Sequence, residues 1–572
     1  MGTKKTKQIK YIFVVGGVMS GVGKGVASAS VGKILQARGF GVTAMKIDPY
    51  INVDAGTMNP TEHGEVFVLD DGTECDQDMG NYERFLDRSL SGLNYMTTGS
   101  VYKTVIERER SMGYGGACVE VVPHIPLEII DRIDRAAKKE KAEIAIVEIG
   151  GTVGEYQNIL FLEAVRMLKI KNPEDTLLIL VSFLPVRDED NEAKTKPTQY
   201  AVRTLNSAGL QPDLILARAK TPLDKKRKEK IAFNCNLLEE DIISAPDVGS
   251  LYEIPLNFEK DKLGDIVLGK LALRPRSRDL REWRRLAEKI RGAKQVVKIG
   301  IVGKYFSSGK FVLADSYISV IEAIKHASAA LGVKPEITWL DSERFEKAPK
   351  LLRELDKYGG IIVPGGFGGR GVEGKIKAIR YCRENKIPYF GLCYGMQLAV
   401  VEFARNVLGL RRAHTTEIDP QTKHPVIDIL PEQKKLMAEK KYGATMRLGA
   451  WPAILAAKSM AQAAYGKLRI SERHRHRYEV NPAYIKRLER AGLVFSGQSP
   501  DRRLMEIMEL PQAKHPFFLG TQFHPELKSR PLLPHPLFRE FISASVTNMK
   551  GRGVKLGRGP AAVRTLAGKR ET

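Results

Sequence analysis

At 572 residues the chain is long enough for two to four domains of ordinary size. Its 43% hydrophobic and 28% charged residues are those of a globular protein, which excludes a fibrous or wholly disordered polymer. The formal net charge of +24 invites nucleic acid, a membrane surface or phosphate-rich ligands as partners, and says nothing about fold.

The chain opens with basic residues and a short apolar run, superficially like a secretory signal. A glycine-rich loop follows instead of a small-residue cleavage site, so residues 11–15 are predicted as the first β-strand. Further strands are predicted at 42–47, 144–148, 177–182 and 214–217, separated by amphipathic stretches, the pattern of a parallel α/β domain. From 271 to 295 the sequence LALRPRSRDLREWRRLAEKIRGAKQ predicts a basic linker, helical in its later part, with little apolar surface to bury. A second strand series is predicted at 296–302, 360–364, 387–392 and 517–523. The tail from 551 onward, rich in Gly, Ala and Arg, is expected to be disordered. The expected organisation is a domain over 1–273, a basic linker over 274–295, a second parallel α/β domain over 296–548 and a tail over 549–572. No run approaches the ~18 apolar residues of a membrane span. Five cysteines with no CxxC pair point to a reducing, cytoplasmic setting.

The strand YIFVV runs into GGVMSGVGKGVASASVGKIL, a glycine-rich turn before a helix. Small residues let backbone N–H groups approach phosphate oxygens, and Lys24 supplies a full positive charge. The strict P-loop spacing is missed: five residues separate Gly17 from Gly23, and Gly25 stands where a hydroxyl should follow the lysine. Magnesium must therefore be held by other groups. Candidates are Asp70, Asp71, Asp76 and Asp78, with Glu148 at the carboxyl end of a predicted strand. Lys194 and Lys196, two apart on a segment read as extended, face one side and can grip a polyphosphate.

In the second half, IPYFGLCYGMQLAV is a strand running into a G-x-nucleophile-x-G elbow with Cys393 in the nucleophile position. The helix N-terminus there lowers a thiol's pKa. GTQFHPEL supplies a base and an orienting group as His524 and Glu526, and backbone near Gly366 is a candidate oxyanion hole. This half is expected to hydrolyse an acyl or amide bond.

The runs MKIDPYINVDAGTMNPTEHGEVFVLDDG, KTKPTQ, VPGGFGGRGVEGKI, GLCYGMQ, ERHRHRYEVN and QFHPE together resemble the CTP synthase family over roughly residues 8–545. The resemblance implies a P-loop-like synthase domain fused to a class I glutamine amidotransferase domain. It implies amination of UTP to CTP with ATP, Mg²⁺ and L-glutamine, through a 4-phosphorylated UTP and a glutamyl thioester. By motif, Ser20, Gly21, Val22, Gly23, Lys24, Gly25, Lys46 and Asp78 would hold ATP, and Asp78 and Glu148 the metal. Ser20, Glu155, Tyr156, Gln157, Lys194, Lys196, Gln199 and Lys230 would hold the pyrimidine nucleotide. Cys393, His524 and Glu526 would be catalytic, Gly366, Tyr394, Gln397, Glu417 and Arg477 would bind glutamine, and His63 would lie on the ammonia passage. The family also implies a homotetramer, GTP as activator and CTP as feedback inhibitor. Glu120 and the run Glu155-Tyr156-Gln157 depart from the family pattern near the base and sugar, which puts CTP inhibition in question.

A cobyrinate-type amide synthase would not explain KTKPTQ or KIDPYINVD. A nucleic-acid-binding protein rests on charge alone, with no RNA-binding signature. Residues 1–10, 274–294 and 551–572 carry +4, +6 and +5, so +15 of the +24 sits where no assigned catalytic residue lies.

Overall fold

Near-continuous apolar runs, buried on both faces, belong in parallel sheets covered by helices. The computed structural model describes residues 8–186, 192–303, 314–366, 368–429 and 446–552; the tail from 553 onward lies outside the described residues. These residues form two compact units. The first comprises 8–55 and 78–291, the second 56–77 and 292–552.

The first unit is built on a seven-stranded, wholly parallel sheet. Its order is Tyr95–Thr97, Val42–Asp48, Ile144–Ile149, Lys10–Gly17, Thr176–Phe183, Leu214–Ala219 and Ile242–Pro246. All five predicted strands are present, while the short edge strands Tyr95–Thr97 and Ile242–Pro246 were too brief to stand out in the sequence. Val42–Asp48 and Ile144–Ile149 are buried at every position. The central strand Lys10–Gly17 feeds the glycine loop and the helix Lys24–Ala37, so the loop sits at the carboxyl end of the sheet, where such folds bind ligands.

The segment read as a linker is packed, which corrects the expectation that it has little to bury. Its helix Arg281–Gly292 sets Trp283, Leu286 and Ala287 on one face at i, i+3 and i+4 spacing, and all three are buried. Trp283 donates through Nε1 to the Tyr252 carbonyl at 2.8 Å, and its ring lies 5.1 Å from Phe85. Three apolar residues among many arginines suffice because one of them is tryptophan.

The second unit holds a nine-stranded mixed sheet. Val333–Asp341, Gln295–Gly303, Gly360–Val363, Tyr389–Leu392 and Phe518–Thr521 run parallel in that order. Met505–Glu509, Val494–Gln498, Arg447–Leu455 and Arg469–His476 extend it antiparallel. The small hairpin Phe67–Val68/Glu74–Cys75 belongs to this unit although it lies early in the chain. Arg473 and Arg475, alternate residues of one strand, pair with Asp70 at 2.6 Å and Glu74 at 2.7 Å.

Candidate active sites

In the first unit the glycine loop turns through left-handed backbone at Gly21 and Gly23, with φ of 68° and 87°, a region that favours glycine. Ser20 is exposed at the loop tip. Lys24 folds back across the loop and donates to the Gly151 carbonyl at 2.8 Å. A Cβ on Gly16 would stand 2.9 Å from the Lys24 ammonium, so that glycine makes room for the lysine. Burial lowers the Lys24 pKa, against the pull of Glu148.

Lys46 is the hub of the site. Its ammonium lies 2.6 Å from Asp78 Oδ2, 2.8 Å from Glu148 Oε1 and 3.9 Å from Asp48 Oδ1. Tyr82 donates to the other Glu148 oxygen, and Tyr95 donates to Asp48 at 3.0 Å. Burial raises Glu148; it also raises Asp48, to about 6, although Lys46 opposes both shifts. Asp78 is half-buried, and although desolvation pushes its carboxyl up, the charge and hydrogen bond of Lys46 hold it below the usual range. Asp78 and Glu148 therefore converge on one cationic centre. A Cβ on Gly25 would fall 1.8 Å from Asp78 Oδ1, so the start of the phosphate-loop helix is pressed against this carboxylate. Two hard carboxylates beside a phosphate loop fit Mg²⁺.

Of the four aspartates singled out in the sequence, only Asp78 reaches Glu148 through this hub. Asp70 pairs with Arg473, Asp71 accepts from the Thr73 amide at 3.1 Å, and Asp76 lies 3.7 Å from His63. Asp48 and Tyr82 were not picked from the sequence. Asp48 had a signal, since it stands two residues after Lys46 on the same strand and so shares its face.

The lysine pair needs a geometric correction. Thr195 has helical dihedrals and Lys196 begins the helix Lys196–Ser207, so Lys194 and Lys196 do not share one side of an extended segment. Lys194 pairs with Glu192 at 2.6 Å, Lys196 and Lys230 are exposed, and Gln199 donates to the Thr195 hydroxyl at 3.2 Å. Gln157 donates to Glu155 at 2.7 Å, and Tyr156 is exposed.

In the second unit, strand Tyr389–Leu392 turns into helix Tyr394–Asn406 at Cys393, whose φ is 50°. The flanking glycines are obligatory for close approach. A Cβ on Gly395 would lie 2.1 Å from the Val363 carbonyl oxygen, and one on Gly391 would lie 2.6 Å from the Tyr389 hydroxyl. His524 Nδ1 lies 2.7 Å from Glu526 Oε1. Burial would lower the imidazole's pKa, but Glu526 and the Cys393 sulfur hold it well above the ordinary range, the signature of an imidazolium. A cavity of about 120 Å³ brings Cys393, His524, Glu526 and Gly366 together. A Cβ on Gly365 would meet His524 Cε1 at 2.9 Å and Cys393 Cβ at 3.8 Å, so the glycine loop closes over both groups.

The remaining glutamine candidates do not line this cavity. Glu417 accepts from the Gly368 amide at 2.9 Å, and the Tyr394 hydroxyl lies 3.5 Å from the Gly368 carbonyl. Gln397 is buried and donates to the Tyr478 carbonyl at 2.8 Å, while Arg477 is half-buried just after the arginine–histidine strand. The cavity is instead completed by residues the sequence reading passed over, among them Glu65, Tyr317 and Arg475. Glu65 accepts from the Ser319 amide at 3.2 Å and from its hydroxyl. The alternation RHRHR was the one available signal for Arg475.

The two constellations define a class: an α/β ligase module with a phosphate loop, joined to a thiol-dependent glutamine amidotransferase. Residues 10–273 match the family model described as CTP synthase N-terminus, and residues 312–544 match glutamine amidotransferase class I. The chain is 53% identical over 539 residues to a CTP synthase of Thermococcus gammatolerans, covering 94% of this chain and 98% of that protein. It is 52% identical to a CTP synthase of Carboxydothermus hydrogenoformans, covering 95% and 99%. The solved glutaminase domain of Trypanosoma brucei CTPS with bound acivicin is 39% identical, covers 44% of this chain and 94% of that domain, and has a TM-score of 0.41. The chain belongs to the CTP synthase family and is a glutamine-hydrolysing ligase.

Proposed function

We propose that the chain converts UTP, ATP and L-glutamine to CTP, ADP, phosphate and glutamate, with amide hydrolysis at Cys393 and phosphoryl transfer beside Lys24 and Lys46. The observation that carries this reading is the convergence of Cys393, His524 and Glu526 on one cavity in a chain whose first half matches the synthase model.

The thiolate of Cys393 attacks the glutamine carboxamide carbon, forming the C–S bond. His524, kept protonated by Glu526, gives its proton to the leaving nitrogen, so ammonia departs and a glutamyl thioester remains. His524, now neutral, takes a proton from water as the water attacks the thioester, and glutamate leaves. Backbone at Gly365 and Gly366 is positioned on the same cavity to meet the oxyanion. In the other half, the uracil 4-oxygen attacks the γ-phosphorus of ATP and ADP leaves. Ammonia then displaces the phosphate from C4. Lys24 and the loop amides orient the triphosphate, and Lys46 holds Asp78 and Glu148 in place. Asp78 and Glu148 would hold Mg²⁺, which when bound neutralises phosphate charge. Lys194, Lys196, Gln199 and Lys230 serve the UTP triphosphate in this reading.

Replacing Cys393 with Ala is expected to abolish glutamine-dependent CTP formation and to spare the ammonia-dependent reaction, measured by chromatography of the nucleotides. Loss of both would sink the two-site division. A homotetramer, GTP activation and a cytoplasmic location belong to the same reading; all five cysteines are unpaired, and among the described residues no helix is long and apolar enough to cross a membrane. For CTP inhibition, Gln157→Glu is expected to lower the inhibition constant. Glu155 now accepts from Gln157, and a second carboxylate would release it toward the nucleotide. An unchanged constant would remove this segment from the inhibitory site.

A further inference from the structure

The first unit contains a second cavity, lined by none of the residues assigned above to ATP, UTP or metal. Its volume of about 450 Å³ falls within the range of small-molecule sites, roughly 300–1,000 Å³. Five of its nine lining side chains are cationic and two are carboxylates. Both carboxylates are already engaged: Glu259 holds Arg38 at 2.6 Å, and Asp265 holds Arg278 at 3.0 Å. Arg281 is paired at 2.7 Å with Asp279, which is not part of the wall. That leaves Lys262 and Arg284 facing the cavity with no carboxylate in ion-pair reach among the described residues. Arg38 is 5% exposed, and its Nε has no hydrogen-bond partner among the described residues. Lys262 and Arg284 are exposed at the mouth and Arg38 is buried at the wall, so positive charge without a carboxylate partner gathers around a concave space, an arrangement that an anion stabilises.

We propose that this cavity is a regulatory binding site for a polyphosphate group, carried by a nucleoside triphosphate or by free tripolyphosphate. The lining charge decides the class. A single carboxylate would compensate only one of the two cations left unpaired, and a concavity of this volume suits a small polyanion. Guanidinium groups grip phosphate oxygens in pairs, and the ammonium of Lys262 adds a point charge. The ligand would bridge three pieces of the unit. Arg38 follows the last turn of the phosphate-loop helix Lys24–Ala37, Lys262 precedes the helix Leu263–Lys270, and Arg284 lies on the helix Arg281–Gly292. Occupancy would thus fasten the basic helix to the body that carries the ATP loop.

The test uses full-length protein and inorganic tripolyphosphate in the presence of chelator, followed by calorimetric titration. The wild type is compared with the Lys262→Gln/Arg284→Gln double variant and with a Lys24→Ala/Lys194→Ala variant at the triphosphate positions proposed above. The wild type is expected to show a class of binding that weakens at least tenfold in the first variant and persists in the second. Ammonia-dependent CTP formation by the first variant should stay within twofold of wild type, with an unfolding midpoint no lower, so that a folding defect is excluded. Repeating the titration with ATP on the Lys24→Ala/Lys194→Ala background separates the sources: equal affinity assigns the site to the phosphates alone, and tighter ATP binding assigns it to a nucleotide. Isotherms unchanged by the Lys262→Gln/Arg284→Gln substitutions would overturn the proposal. Because the readout is binding without turnover, its failure would leave the synthase reading intact.

Discussion

Glu526 decides which proton state His524 occupies. Two forces act on that imidazole: burial, which disfavours the charged ring, and the negative partners Glu526 and Cys393, which favour it and prevail. A histidine whose pKa is raised stays protonated until the pH climbs through the raised value, and the loss of its proton ends its service as the acid that expels ammonia. The neutral amide of Glu526→Gln leaves burial with less opposition. The alkaline limb of the glutaminase pH profile is therefore expected to move to lower pH, with the maximal rate down roughly 10²–10⁴-fold. Ammonia-dependent synthesis, read in the same assay, should not move. An alkaline limb that stays in place would show that Glu526 does not set the charge of His524. At this scale much was visible in advance. A cysteine between two glycines after an apolar strand, and a histidine two residues from a glutamate at another strand end, name their own chemistry. Glu65 was not visible, because it reaches the cavity by tertiary packing and no local pattern marks it, and Arg475 was marked only by the RHRHR alternation, which does not say what it faces.

Elements whose charge dominates their sequence are the ones most easily misread. The helix Arg281–Gly292 shows seven cationic or anionic side chains in twelve positions, and that pattern concealed a packed face. Trp283 is 1% exposed, meets Phe85 at a tilt and Tyr252 edge-on, and keeps its indole N–H satisfied by the Tyr252 carbonyl. Trp283→Ala is expected to cost about 3–5 kcal/mol of the first unit's stability, by lost burial and the cavity left behind, seen as a lower midpoint in denaturant. A cost below about 1 kcal/mol would mean that the helix is a surface attachment. The strands of the first sheet were legible because they are apolar on both faces, whereas the antiparallel strands Arg447–Leu455 and Arg469–His476 were not. The latter carries Arg473, Arg475, His474 and His476, polar residues whose burial depends on partners such as Asp70 and Glu74 far away in sequence. The lysine pair failed for a local reason: Pro197 is well suited to the first turn of a helix, and it ends the extended segment that the i, i+2 argument required.

On the scale of the whole molecule, the +24 charge is unevenly placed, and its position separates attraction from chemistry. Residues 551–572 carry +5 and contain no residue assigned to ATP, UTP, glutamine or metal. Charge of this kind acts through long-range attraction to polyanions, which salt screens within about 10 Å at 0.1 M. Deleting residues 553–572 removes five basic residues and one acidic residue, lowering the net charge from +24 to +20. The truncated enzyme is expected to leave a heparin column at lower salt than the full chain. Its kcat and its KM values for UTP, ATP and glutamine should stay within about twofold, since the site geometry rests on groups held inside each unit and a surface field adds only screened, long-range terms. A truncated enzyme that eluted unchanged, or that lost CTP synthesis, would tie the tail to the fold or to the reaction and would reverse this division between basic periphery and catalytic interior.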